Sequence, residues 1–304
     1  MVLEYLVSIL KAEKKPWDMF FLGFLYVSIA LFLSLWLFPS DASIVSVLLV
    51  VLASLPIVYD AIRFEEKKEV VLPDEVHILK HHEGLVLLIL FLFFGFSIGF
   101  AFWYSVLPSD MVNVLFKSQS MTIQAINSPE QLQALQSQSK TMTQTTQTTG
   151  SLVNDSRTAF SYFSIIFLNN VKVLMFCLLF SFLYGSGALF ILAWNASVIG
   201  VAVGNLFRTL ISKISPSLFS YFHITTLSLL RYFLHGIPEV LAYLIGGIAG
   251  SLLSVAIINH DLSTKNFDKI ISDVADLIII SLFLLLIASF IEVFITPLVF
   301  SLFY

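Results

Sequence analysis

The chain is dominated by long apolar runs that are separated by short polar segments. A transmembrane helix needs about 20 consecutive, mainly apolar residues, and the strict apolar and polar alternation of a half-buried strand is not the pattern here. The pattern therefore predicts an all-α fold, a polytopic transmembrane helical bundle with about six or seven spans. The predicted spans lie at about 19–38, 43–60, 84–107, 172–193, 196–212, 221–258 and 274–300.

The run 221–258 is interrupted halfway by a polar segment, residues 235–239, with the sequence His-Gly-Ile-Pro-Glu. Proline is favoured at the first position of a helix, which predicts a helix that starts near Pro238 and has Glu239 in its first turn. In that case 221–239 forms a re-entrant or broken helix. The alternative is a kink within one long, tilted helix. Both give the same number of membrane crossings.

Changes in polarity divide the chain into three predicted parts. Residues 1–107 form an N-terminal three-span membrane region, 108–158 a polar external loop, and 159–304 a C-terminal membrane domain. Within the loop, the Gln/Ser/Thr tract 131–150 is too polar to build a core, and we expect it to be mobile. The same loop carries a glycosylation sequon at Asn154, a weak three-residue pattern.

Composition and charge exclude several classes of protein. With 58% hydrophobic and 12% charged residues, the chain is far from a soluble domain, in which roughly a quarter of the residues are charged. A net charge of −4 provides no basic surface for nucleic acid. The single cysteine, Cys177, rules out an intramolecular disulfide and a cysteine metal cluster.

The distribution of lysine and arginine predicts the orientation in the cell membrane. Short loops rich in these residues lie on the cytoplasmic side. This rule places the N-terminus, the linker 63–83 and the linker 259–273 in the cytoplasm, although Arg208 and Lys213 then lie outside, against the rule. The first apolar run has no small-residue cleavage site after it, so we interpret it as an uncleaved span in a multi-pass protein.

Polar groups inside predicted spans are the candidates for function, because ionisable side chains at such depth are costly and usually face the protein interior. His235 is expected to hydrogen-bond a neighbouring helix rather than bind a metal. Glu239 is either a helix cap or a functional carboxylate. Glu292 either pairs with His235, Arg231 or an asparagine, or lies at the membrane interface. The candidate polar cluster comprises Asn169, Asn170, Asn195, His235, Glu239 and Glu292.

Other patterns indicate packing, and several catalytic motifs are missing from the sequence. Asparagines within spans can bond helices together, and the glycine patterns around 185–187, 200–204 and 246–250 provide faces for close helix approach. The sequence has no Walker loop, no Ser-Lys or paired-Asp arrangement and no His-Glu-x-x-His pair. We therefore expect neither an enzyme nor a cofactor. A close inverted repeat is also missing, which weakens the case for a conventional secondary transporter.

Several motifs of the second half occur in an order that resembles the stage II sporulation protein M family of integral membrane proteins. The motifs are Phe167-Leu168-Asn169-Asn170, Gly185-Ser186-Gly187, Trp194-Asn195, the segment 235–239, and Ile291-Glu292 with Thr296-Pro297. The resemblance covers about 155–300 and leaves out the first three spans and the loop. It implies an all-helical membrane protein without catalytic activity, in which the six candidate residues form the site. The founding member works with cell-wall hydrolases during engulfment, a role that does not carry over to relatives that do not sporulate.

These observations favour a membrane scaffold or complex subunit, whose polar cluster organises helix packing and partner docking. The alternative is a channel or permease for an ion, a proton or a small solute, and an enzyme with His235 and Glu239 as acid and base ranks last. The expected partners are the lipid bilayer, other membrane proteins and a second copy of the chain, but not nucleic acid. A dry and fully paired cluster would argue against transport.

Overall fold

The structure is a computed structural model that describes residues 16–69, 83–126, 151–184, 187–212, 218–258 and 265–301. The described residues form helices joined by short turns. In chain order these are α1 (Pro16–Leu37), α2 (Ala42–Glu69), α3 (Glu83–Val106), α4 (Ser109–Leu115), α5 (Lys117–Ile126), α6 (Ser151–Tyr184), α7 (Ala188–Ile211), α8 (Leu218–Ile258), α9 (Lys265–Phe290), the π-helical turn Ile291–Ile295 and α10 (Thr296–Ser301).

Seven of these helices are long and apolar enough to cross a membrane, namely α1, α2, α3, α6, α7, α8 and α9 together with its C-terminal continuation. The described part of the chain contains no strand. The predicted fold class, an all-α polytopic bundle of six or seven spans, is confirmed.

Helix α7 lies between two groups of helices. On one side it packs against α2 and α3, and α1 packs on both of these; on the other side it packs against α8, which contacts α6 and α9. Gly200 allows the close approach of α7 to α3, because a β-carbon there would lie 2.6 Å from Cβ of Phe100. The predicted N-terminal and C-terminal membrane regions therefore share one continuous interface.

The predicted loop 108–158 contains helical structure at both of its ends. Helices α4 and α5 follow Pro108, and the side chain of Gln119 in α5 is fully buried. The Gln119 amide accepts a hydrogen bond of 2.8 Å from Ser43 Oγ and donates one of 3.3 Å to Ser197 Oγ. This segment thus joins α2 to α7. The tract 131–150 lies outside the described residues, and only the backbone is described at Asn154, near the start of α6.

The predicted boundary between two spans at Trp194-Asn195 is wrong. Helix α6 continues to Tyr184, and α7 begins at Ala188, whose backbone N–H donates to Ser181 Oγ at 3.2 Å. Both Trp194 and Asn195 lie inside α7. Asn195 does not end the helix because its amide nitrogen donates to the Ile191 carbonyl oxygen one turn earlier, at 2.8 Å.

Helix α8 runs unbroken through the polar segment 235–239, so the expected helix start near Pro238 is wrong and the single-long-helix alternative holds. Proline inside a helix removes one backbone hydrogen bond, a cost that surrounding helices can offset in a membrane bundle. At 41 residues, α8 is about 60 Å long at 1.5 Å per residue. Because this is about twice the hydrocarbon thickness, α8 must tilt strongly or extend beyond the bilayer.

Candidate functional site

The packed helices α6, α8 and the C-terminal part of α9 carry a set of polar side chains, several of them buried, which we assign to the contact between these helices. We call this set the polar seam, and it includes residues of the π-helical turn and α10. Its members are Asn170, His235, Glu239, Tyr243, Ser289, Glu292 and Thr296.

The helix packing shows that these residues lie at neighbouring depths. A β-carbon at Gly246 in α8 would collide with Leu174 Cδ1 of α6 and lie 3.8 Å from Ser281 Oγ of α9. Because α9 returns antiparallel to α8 and each residue rises about 1.5 Å, equal steps from this contact place Glu292 in the same part of the contact as His235 and Glu239. Helix α6 runs parallel to α8, since Gly250 meets Leu178.

Glu239 is held by a hydrogen bond within its own helix. Tyr243, one turn further along α8 and fully buried, donates its hydroxyl proton to Glu239 Oε1 at 2.7 Å. Residues four apart on a helix share a face, which is why this pair meets. The bond fixes the direction of one carboxylate oxygen.

Glu292 is the second carboxylate of the seam. It lies close enough to Glu239 and Tyr243 to interact electrostatically with both. Among the described residues it has no hydrogen-bond or ion-pair partner, so the expected pairing with His235, Arg231 or an asparagine does not occur there. One carboxylate is thus carried by each side of the contact of α8 with α9.

Glu292 lies in the π-helical turn Ile291–Ile295, where the backbone departs from regular α-helical geometry. In this turn the backbone N–H of Thr296 donates to the Ile291 carbonyl oxygen, one residue further back than in an α-helix. The next residue, Pro297, has no N–H, and its ring would crowd the carbonyl four residues earlier, which favours such an irregular turn. Single π-helical turns occur frequently at functional sites.

Several buried polar atoms of the seam have no hydrogen-bond partner. The atoms are Asn170 Nδ2, His235 Nδ1, Ser289 Oγ and Thr296 Oγ1. The Asn170 side chain is only 6% exposed and that of Ser289 is 0% exposed. Three further unpaired atoms of the described residues, Ser97 Oγ, Arg208 Nε and Ser228 Oγ, lie outside the seam. Since most buried polar side-chain atoms in proteins are paired, the four atoms on these three helices are a feature of the seam that calls for a function.

Two of the six predicted site residues do not join the seam. Asn169 is exposed on the outside of α6, next to the buried Asn170. Asn195 uses its amide nitrogen within α7. His235 does join the seam, but in the described part of the chain it does not hydrogen-bond a neighbouring helix as expected.

Sequence reasoning missed Tyr243, Ser289 and the π-helical turn. The spacing of Tyr243 from Glu239 and of Ser289 from Glu292, four and three residues in the sequence, is the spacing of neighbours on one helix face. That signal was present. Serine and tyrosine are common in membrane spans, however, so it carries weight only once the carboxylates are known to face a neighbouring helix.

The seam ends where α8 packs tightly against α6. A β-carbon at Gly250 would collide with the Leu178 carbonyl oxygen and come within 3.1 Å of Phe182 N, and one at Gly247 would lie 3.0 Å from Ala188 Cβ. The close approach predicted from the glycine pattern 246–250 is confirmed. These glycines contact helices of the same chain rather than a second copy.

Within the described ranges, no three histidine, cysteine, aspartate or glutamate side chains are grouped as metal ligands would be. The donors of the seam are instead two carboxylates, an imidazole, an amide and hydroxyl groups. Such a set can hydrogen-bond water, exchange protons and attract a cation.

The fold and the seam define an integral membrane protein of several spans with a partly unpaired polar cluster between three of them. Residues 87–297 match the family described as Stage II sporulation protein M, and the chain belongs to this family. The resemblance is therefore confirmed. It also extends further than expected, since most of α3 and the region of α4 and α5 lie within the matched residues.

A curated relative is an uncharacterized protein of Methanocaldococcus jannaschii, MJ0793. It is 34% identical over 138 residues, which cover 44% of this chain and 71% of the relative. No solved structure matches the chain significantly.

Proposed function

We propose that this protein is a membrane channel or permease that moves protons or a small cation past Glu239 and Glu292. The observation that carries the proposal is the group of unpaired buried polar atoms on the three helices of the seam, two of which carry Glu239 and Glu292. A cluster whose purpose is to lock helices together gains stability only when its members are paired. Ionisable groups inside a membrane span often mark ion and proton pathways.

The charges of the seam determine whether the transported species is a cation or an anion. Its strongest groups are two carboxylates, and the cationic side chain recorded as acting on it is Arg231, which acts on His235. Arg231 itself is exposed. A pair of glutamates at this depth attracts cations and repels anions.

A membrane scaffold or complex subunit, the function that the sequence favours, remains the second candidate. The observation in its favour is that α6 and α9, the two helices that flank the seam, are the least buried of the seven candidate spans. A partner helix packed on that side would cover them. Helices that face lipid show the same exposure, so this observation does not distinguish a partner from the bilayer. The unpaired polar atoms are therefore the observation that favours transport.

The experiment is reconstitution of the purified full-length protein into liposomes of phosphatidylethanolamine and phosphatidylglycerol. Proton and sodium fluxes are measured with trapped indicator dyes under an imposed membrane potential. We expect wild-type flux of at least one of these cations above that of protein-free liposomes, and a decrease of roughly tenfold or more in Glu292→Gln, because the amide cannot carry charge or exchange protons.

The matched control is Asp276→Asn, an acid-to-amide change at an exposed position of α9 outside the seam. It is expected to keep the wild-type flux. Wild-type flux no greater than that of protein-free liposomes for both cations contradicts the proposal, as does full flux in Glu292→Gln.

A further inference from the structure

Helix α6 carries a lysine near the middle of a candidate membrane span. Lys172 lies 13 residues from Ala159 and 11 residues from Leu183, the two ends of that span, so each end is roughly 16 Å or more away at 1.5 Å per residue. A lysine close to the end of a span can extend its ammonium group to the membrane surface, but one side chain does not bridge this distance. The charge of Lys172 is therefore held within the apolar layer.

Lys172 lies in the centre of the exposed face of α6. The opposite face, which packs within the bundle, repeats at intervals of four, three and four residues, at Asn170, Leu174, Cys177 and Ser181. The exposed face repeats at similar intervals, at Leu168, Lys172, Met175, Leu179 and Leu183. Large side chains at such intervals form the stripe with which one helix packs against another. Lipid can also cover an apolar stripe, but it does not satisfy a lysine at this depth.

The ammonium group of Lys172 has no hydrogen-bond or ion-pair partner among the described residues. The neighbouring helices also lack a carboxylate at its level. Counted from the contact of Leu174 with α8 and α9, Glu239 and Glu292 lie roughly 7 and 13 Å nearer one membrane surface. Asp276 lies roughly 10 Å nearer the other surface.

The same depths argue against a second copy of the chain as the partner. Two copies related by an axis along the membrane normal present every residue at the same depth. A second copy would therefore offer Lys172 apolar side chains or its own Lys172, and not a carboxylate.

We infer that the exposed face of α6 docks a transmembrane helix of another protein that carries an aspartate or glutamate near the middle of its span, opposite Lys172. An ammonium group within the apolar layer is costly alone, and a carboxylate of the partner offsets that cost. Asn169, exposed three residues earlier on α6, can donate a hydrogen bond to the same carboxylate. The site lies on the side of α6 away from the polar seam and does not rest on the proposed transport function.

The probe is a synthetic transmembrane peptide of leucine and alanine, about 23 residues long, with one glutamate at its centre. A central glutamate reaches the level of Lys172 in either orientation of the peptide. Matched peptides carry glutamine or leucine at the same position. The full-length protein, in the Cys177→Ala background and labelled at Asp268→Cys, is reconstituted with each fluorescent peptide in liposomes of phosphatidylethanolamine and phosphatidylglycerol. Energy transfer at increasing mole fraction of peptide gives the apparent dissociation constant.

We expect the glutamate peptide to bind the protein roughly tenfold or more tightly than the leucine peptide, because it alone neutralises Lys172. This preference should be lost in Lys172→Leu and kept in Lys172→Arg. The matched control is Lys117→Leu, which removes an exposed lysine of α5 and should keep the preference. Circular dichroism of each variant establishes its helix content, and the comparison of the three peptides requires no change at Lys172.

Equal binding of the glutamate and leucine peptides overturns the docking site, and so does a preference that survives in Lys172→Leu. Energy transfer between two differently labelled copies of the protein, if it is lost in Lys172→Leu, shows that a second copy occupies the face and overturns the partner helix. A preference that appears in phosphatidylcholine liposomes but not with phosphatidylglycerol also overturns it, because a lipid headgroup then neutralises Lys172. Cation flux is measured separately, so the proposed function stands or fails on its own.

Discussion

At the scale of single residues, the two carboxylates of the seam have different surroundings. Glu239 accepts a hydrogen bond from Tyr243, whereas Glu292 has no such partner in the described part of the chain and interacts with the like charge of Glu239. A hydrogen bond to a charged group contributes about 1.5–3 kcal/mol. An unpaired carboxylate inside a membrane costs a comparable amount. Glu239 is therefore partly compensated, and Glu292 is not.

This difference predicts the effect of Glu292→Gln on stability. We expect the free energy of unfolding to rise by about 1–3 kcal/mol, because the amide removes a poorly compensated charge from a low-dielectric site. The measurement is thermal and denaturant unfolding in detergent micelles, followed by circular dichroism. A structural lock predicts the opposite sign, so a loss of stability of that size would contradict the assignment of Glu292 to a transport site.

At the scale of elements, α8 shows how one helix can carry both the polar segment and the tight packing. Its N-terminal part has Gly236, a buried residue with room for a β-carbon, which would meet only Ile199 Cδ1 at 3.9 Å. Its C-terminal part has Gly250 pressed against the backbone of α6. The two glycines of one helix therefore have different roles, and only the second is required by packing.

A pair of matched substitutions tests this distinction. Gly236→Ala is expected to raise the free energy of unfolding by up to about 1 kcal/mol, since alanine restricts the unfolded chain and favours helix. Gly250→Ala is expected to lower it by about 1–3 kcal/mol because the added methyl group forces α8 and α6 apart. Unfolding in detergent measures both. Equal effects of the two substitutions would show that the packing at Gly250 is not specific.

The elements could be predicted from the sequence more reliably than their ends and irregularities. Apolar run length determines which segments can span a bilayer, and this gave the correct fold class. The predicted helix ends were wrong where a polar side chain finds its hydrogen-bond partner within its own helix, as Asn195 does at the Ile191 carbonyl oxygen. The expected helix start at Pro238 was wrong for a related reason. Neighbouring helices stabilise α8 around this proline, and the local sequence gives no information about their contribution.

At the scale of the whole molecule, the segment after α3 connects the two groups of helices. Ser43 in α2, Gln119 in α5 and Ser197 in α7 form a buried hydrogen-bond network, in which the backbone N–H of Ser118 also donates to Ser43 Oγ at 2.9 Å. Polarity predicted an external loop here. The network could not be foreseen, because a glutamine is buried only when distant helices supply its partners.

The network predicts the effect of Gln119→Leu. The substitution removes the bonds to Ser43 and Ser197 and leaves their hydroxyls with fewer partners, so the free energy of unfolding should fall by about 2–4 kcal/mol. Gln124→Leu, at an exposed position of the same helix, is the matched control and should change it by less than about 0.5 kcal/mol. Equal stability of the two variants in detergent would show that α5 is not a connecting element.

The composition of α1 indicates where the membrane surfaces lie. Trp17 and Trp36 are exposed at opposite ends of this helix, separated by about 29 Å at 1.5 Å per residue. Tryptophan is enriched at both membrane interfaces, and this distance fits the hydrocarbon thickness. With seven spans, the turn after α1 and the start of α9 then lie on opposite sides.

The last prediction concerns which side is which. The lysine and arginine distribution places the start of α9 in the cytoplasm and the turn between α1 and α2 outside.

The test is cysteine labelling in the Cys177→Ala background. We expect Asp41→Cys, in the turn between α1 and α2, to label with an impermeant reagent added to intact cells. Asp268→Cys, in the first turn of α9, is expected to label only when the cytoplasmic face is exposed. Both positions are exposed, so packing does not limit either reaction. The reverse result would invert the topology. Labelling of both cysteines from the same side would mean that the number of crossings between them is even, which is incompatible with a bundle in which α2, α3, α6, α7 and α8 all span.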